Sequence, residues 1–176
     1  MKNIFTVILL FSLTVMYAQT KPAPTLKSIL LEQLKTTHNM KDWFVPVNIA
    51  LEDLTPEQAM WKDSSGNHSI AQLASHLVFW NEQQLVKFKG LPEPKFSGNN
   101  DETFSNLDKT SWGATVKKLD SVLTAWEKVV ETSDEKKLSA WYSTIAHIGT
   151  HNAYHTGQII YIRKLQGSWN PEKGVK

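Results

Sequence analysis

The chain has 176 residues, 41% of them hydrophobic, with 19 lysines and arginines against 17 acidic residues and no cysteine. That length suits one domain with a substantial core, and a formal net charge of +2 is too small for a nucleic-acid footprint. Without cysteine there are no disulfides, no thiolate metal ligands and no cysteine nucleophile, so a metal would be held by histidine, carboxylate or backbone oxygen.

Met1-Lys2-Asn3 gives a short positive start, Ile4 to Val15 is an almost unbroken apolar run, and Met16-Tyr17-Ala18 ends on a small residue before Gln19. These are the parts of a secretory signal peptide. A run of about 12 apolar residues is too short to span a bilayer as a helix. The expectation is a leader over 1–18, cleaved after Ala18, and a single exported domain over 19–176, periplasmic or extracellular, with no stable membrane anchor.

Period and punctuation then predict four helices. The first covers Thr25 to His38, with Leu26, Ile29, Leu30, Leu34 and Thr37 as its apolar stripe. A short piece follows from Pro46 to Leu51. Thr55 and Pro56 read as the N-cap and first residue of another turn. Ser69 and Gln72 form a capping box that opens the second long helix, which ends near Gly90 before Leu91-Pro92-Glu93-Pro94. Its inward arc holds Ile70, Leu73, His76, Leu77 and Trp80. Residues 91–110 make a connection long enough to fold over one end of the molecule. The third helix covers Ser111 to Thr132 and the fourth Leu138 to Leu165. The stripe of the fourth runs Trp141, Ile145, Ile148, Asn152, His155, Ile159 and Ile162, with Gly167 and Pro171 closing it. No strand pattern stands out. The fold class predicted is all-α: an antiparallel four-helix bundle with one long connection between helices 2 and 3. Trp43, Trp61 and Trp112 fall near element ends, where core packing or an interface would use them.

Histidines dominate the chemistry. His147, His151 and His155 stand at i, i+4 and i+8, so they share one side of the fourth helix. Polar residues on a core seam are costly unless they find partners, and His155 and Asn152 interrupt such a seam. His76 lies on the inward arc of another helix. Three imidazoles meeting there would face one another with lone pairs, and a divalent cation would accept all three, leaving an open fourth position. Zinc, nickel and other borderline ions suit imidazole. Gln158 projects from the same face and can orient a ligand imidazole. His147 reads as a group behind the ligands, a proton shuttle or a bystander. Gly157 provides close backbone approach, room for a ligand, or simple packing. His38 and His68 read as exposed or turn residues. No Asp or Glu falls in the metal-facing arcs, since Glu82 lies off the face of His76. Three readings stand open: an enzyme that activates a thiol or water, a non-enzymatic protein in which a structural metal braces two helices, and a plain helical bundle whose histidines only hydrogen-bond one another and Asn152.

Ser69-Ile-Ala-Gln-Leu-Ala-Ser-His76-Leu-Val-Phe-Trp80 resembles the second helix of the DinB/YfiT-like superfamily, and His151-Asn-Ala-Tyr-His155-Thr-Gly157-Gln158-Ile159 resembles its His-x-x-x-His-x-Gly-Gln signature. Trp43 to Pro46 and Leu51 to Ala59 fit the family too. The resemblance spans about residues 25 to 165. It implies a four-helix bundle with zinc or nickel held by His76, His151 and His155, and a homodimer in many members. Some members are metal-dependent transferases that use low-molecular-weight thiols, and others are described as metal-dependent hydrolases. The signature often carries a basic residue where this chain has Thr156. The substrate implied is a small molecule of unknown identity.

Overall fold

The computed structural model describes residues 23–174, so the leader expected over 1–18 lies outside the described residues. Seven α-helices follow in order: α1 Leu26–His38, α2 Val47–Leu51, α3 Pro56–Met60, α4 Ile70–Lys89, α5 Trp112–Thr132, α6 Glu135–Ser139 and α7 Tyr142–Leu165. No strand occurs among the described residues. None of these helices is long and apolar enough to cross a membrane.

Local chemistry sets most of the boundaries. Thr25, Thr55 and Ser69 each close a capping box, with Ser28, Gln58 and Gln72 respectively returning the bond to the cap. Two orphan amides are satisfied at each start, which fixes where the helix begins. Gly90 ends α4 in the left-handed region at φ 69°, where a side chain would be strained. The predicted fourth helix is broken. Asp134 caps the five-residue α6 through Lys137, and Trp141 leaves helical geometry at φ −120° before α7 begins. The turn lets the Trp141 ring pack edge-on against Phe88, 5.2 Å between centroids.

The long helices α1, α4, α5 and α7 form the bundle. α1 and α4 each pack against both α5 and α7. Directions follow from residue pairs. His76 meets His151 while Phe88 meets Trp141, so α4 and α7 are antiparallel. Lys27 reaches the Ser133 carbonyl while His38 meets Asp120 and Glu127, so α1 and α5 are antiparallel. Lys118 pairs with Glu82 while Trp126 packs on Phe88, so α4 and α5 run parallel. Two neighbouring pairs are therefore antiparallel and two parallel. This explains the length of the connection after Gly90. The chain has to return along the bundle to start α5 beside the start of α4. Residues 91–110 consequently run back along α4 rather than over one end, and they place a 3-10 turn, Asn100–Thr103, against it.

The core joins all four long helices around Leu30, Leu77, Leu119, Trp126, Ile145 and Ile159. Two expectations about it change. Leu26 and Ile29 of the expected stripe are 48% and 41% exposed, while Leu30, Leu34 and Thr37 face inward as expected and His38 joins them. His38, read as an exposed or turn residue, is buried. Its Nδ1 lies 2.5 Å from Glu127 Oε1 and its Nε2 3.0 Å from Asp120 Oδ1, both on α5. The carboxylates compensate its burial and tie the end of α1 to α5. The tryptophans divide: Trp112 is buried and donates from Nε1 to the Leu54 carbonyl, whereas Trp43 is 93% exposed. Between α4 and α7, Asn81 and Asn152 exchange amide bonds in both directions, the shorter 2.8 Å. Each satisfies the other inside the core and fixes the register of the two helices.

Candidate metal centre

α4 carries His76 and α7 carries His151 and His155. The ring nitrogens of the three lie within 4.8 Å of one another. His151 Nε2 stands 3.1 Å from His76 Nε2 and 3.0 Å from His155 Nε2. The four-residue spacing on α7 sets the second distance, and the antiparallel packing of α4 brings the third ring to them. In a tetrahedral site with nitrogen at about 2.0–2.1 Å from the ion, neighbouring ligand atoms stand about 3.3–3.4 Å apart. The two distances from His151 are close to that spacing.

Partners on the far side of two rings decide which nitrogens face inward. His76 Nδ1 lies 2.5 Å from Thr103 Oγ1, whose own hydroxyl donates to the Asn100 carbonyl at 2.6 Å. Thr103 therefore accepts from His76, so His76 carries its proton on Nδ1 and leaves a lone pair on Nε2. His155 Nδ1 donates to Gln158 Oε1 at 2.6 Å, with the same consequence. His76 and His155 thus each aim an Nε2 lone pair at the Nε2 of His151. Three inward Nε2 atoms, two of them held as lone-pair donors, fit a metal ion, which would accept all three.

Burial is the first cause that pushes His76 down to about 3, and the neighbouring His155 and His151 add to it. Burial likewise takes His151 down to about 4. His155 is lowered by burial, although Gln158 pulls the other way. All three are neutral at pH 7. In the unfolded chain they gain protons as pH falls through about 6.5, while the folded chain resists. Their contribution to stability is full above that pH and is lost on the way down toward 4. The urea midpoint of the metal-free protein is expected to fall between pH 7 and pH 4.5, and to fall less in a His76→Leu variant. Equal losses in the two proteins would contradict this.

One side of the cluster opens onto a pocket of about 960 Å³ that His76, His151 and His155 help to line. Trp80 and His147 line it as well. His147 is exposed and makes no bond to His151 among the described residues. Asn152 supports the site at one remove, through Asn81 rather than through a histidine. Gly157 faces open space, with nothing within 4 Å of where a side chain would begin, so close approach of a neighbouring backbone does not explain it. Glu82 is held by Lys118 at 2.5 Å, away from the cluster.

Sequence reasoning missed two residues that the connection after α4 delivers. Thr103 orients His76. Phe104 stacks between His76 and His68, with centroids 4.0 and 3.8 Å away and rings nearly parallel. His68 is exposed as expected, yet it flanks the site through that ring. Nothing in the spacing of Thr103 or Phe104 marks them, because both lie nearly thirty residues from His76 and meet it only through the returning chain.

A family model described as DinB superfamily matches residues 47–159. The chain belongs to the DinB superfamily. The matched stretch runs from α2 into α7 and includes all three clustered histidines, Thr103 and the Asn81–Asn152 pair. No curated protein and no solved structure matches the chain. Within this DinB-superfamily domain, the signature on α7 and the histidine on α4 form one three-histidine cluster that could hold a metal.

Proposed function

We propose that His76, His151 and His155 hold one divalent ion, zinc or nickel, and that the protein is a metal-dependent transferase acting on a thiol. The observation that carries this is the convergence of three Nε2 atoms at the wall of an open pocket. When bound, such an ion supplies Lewis acidity, lowering the pKa of a thiol or water at its open position toward neutrality. The chain does the rest. Thr103 and Gln158 keep protons on the outer nitrogens of His76 and His155, so the inner nitrogens are available. Phe104 packs on His76 and keeps solvent from that side. Hydrolysis usually employs a carboxylate near the attacking water, and no Asp or Glu is among the lining residues of the pocket. A thiol ionises more readily than water and does without that base, so a thiol is preferred as the nucleophile. A purely structural metal is less well supported, because it would be closed off on all sides.

Metal content by mass spectrometry tests the reading, on protein purified without a histidine tag. About one metal per chain is expected, lost in a His76→Ala/His155→Ala variant. Failure to bind zinc or nickel supplied at neutral pH would overturn it. Thr103→Val keeps the shape of the side chain but removes the acceptor for His76. It is expected to weaken metal binding by about 10–100-fold in competition with a chromophoric chelator. Unchanged affinity would mean that Thr103 does not set the ring. Export belongs to the same proposal: protein recovered outside the cytoplasm should begin at Gln19 on amino-terminal sequencing.

A further inference from the structure

The walls of the pocket bear on what kind of thiol it takes, an inference that rests on the metal reading above. Among the described residues lining it there is no Asp, Glu, Lys or Arg. Rings supply part of the surface, Trp80, Phe104 and Tyr154 with Ile148 beside them, and neutral polar groups such as Gln84, Thr144 and Thr150 supply much of the rest. These rings are held in place. Trp80 donates from Nε1 to Asn100 Oδ1 at 3.1 Å and packs edge-on against Phe79 and Phe96. Phe104 is fixed between His68 and His76. Tyr154 stands edge-on to His155, 5.0 Å between centroids, and its hydroxyl accepts from Gln158 Nε2 at 3.3 Å. A volume of about 960 Å³ is far more than an ion and one water occupy, and it falls in the range of small-molecule sites.

A charged group on the body of the ligand, away from the ion, meets no charged side chain on these walls, so contact with them costs it water without an ionic partner. A flat apolar body gains ring contacts on preorganised faces. We propose that the pocket selects a thiol with an aromatic, otherwise uncharged body, and discriminates against small thiols that carry additional carboxylate or ammonium groups. The thiol sulfur is directed at the Nε2 cluster and the aromatic body lies between Trp80 and Tyr154.

Two probes of similar size decide the point: benzyl mercaptan and mercaptosuccinate. Binding to the zinc-loaded full chain is read by calorimetry, with metal content measured on the same samples. Benzyl mercaptan is expected to bind at least tenfold more tightly. Trp80→Ala, and independently Tyr154→Ser at an exposed position, are expected to cut that preference to less than threefold without loss of metal. Equal binding of the two thiols, or a preference untouched in both variants, would overturn the inference and leave the metal reading standing. A second arm needs no metal. Saturation-transfer NMR on the metal-free chain is expected to show contact with benzyl alcohol and none with succinate, the signal falling in Trp80→Ala. If the chain takes up no metal, the proposed function fails and this arm alone decides the character of the pocket; contact with succinate equal to that with benzyl alcohol would overturn it.

Discussion

His155→Ala is expected to abolish metal-dependent stabilisation while leaving the bundle folded. His155 supplies one of three converging nitrogens, and the remaining two sit on different helices. Loss of a group that merely orients a ligand costs about 10–100-fold in metal affinity, so loss of the ligand itself should exceed a hundredfold. The fold has little to lose, because the core packs around Leu77, Trp126, Ile145 and Ile159 rather than around the imidazole. An ion present at about 100 times its dissociation constant stabilises the native state by about 2.7 kcal/mol, which for a domain of this size raises the melting temperature by about 5–11 °C. Zinc should therefore raise the Tm of the wild-type chain by that amount and leave the variant unchanged. Equal shifts in both proteins would mean that the ion binds elsewhere.

What the sequence made legible, and what it hid, divides by range. The starts at Thr25, Thr55 and Ser69 and the stop at Gly90 depend on groups three or four residues apart, so the residue types announce them. The pair His151 and His155 is equally local, and His76 joins it because the inward arc of α4 has a definite centre. Long-range pairing is another matter. His38 finds Glu127 and Asp120 across the bundle, at sequence separations of 89 and 82, and only the neighbour relation of α1 and α5 explains why it is buried. The parallel course of α4 and α5 is just as invisible in a periodic pattern, which is the same for a helix pointing either way. Thr103 and Phe104 follow from that course, since the returning connection is what lays them on His76. The break at Trp141 reflects a tertiary contact with Phe88 that overrides a continuous apolar stripe.

Trp126→Ala is expected to be the most destabilising single change in the chain. The indole is fully buried on α5 and packs against Phe88 of α4, 5.5 Å between centroids. Truncating a buried tryptophan costs about 3–5 kcal/mol, through lost transfer energy and the cavity left behind. That is a large part of the roughly 5–15 kcal/mol available to a domain. Its Nε1 also donates to the Asn81 carbonyl at 2.9 Å, and the Asn81 side chain is the one that pairs with Asn152. Trp126 thereby anchors from α5 the residue that sets α4 against α7. Urea denaturation separates packing from the hydrogen bond. Trp126→Phe keeps most of the ring but loses the donor, and should cost about 1–2 kcal/mol, the value of a lost hydrogen bond with a small volume change. Trp126→Ala should cost at least twice as much. Near-equal costs would place the anchor in the Nε1 bond rather than in the ring.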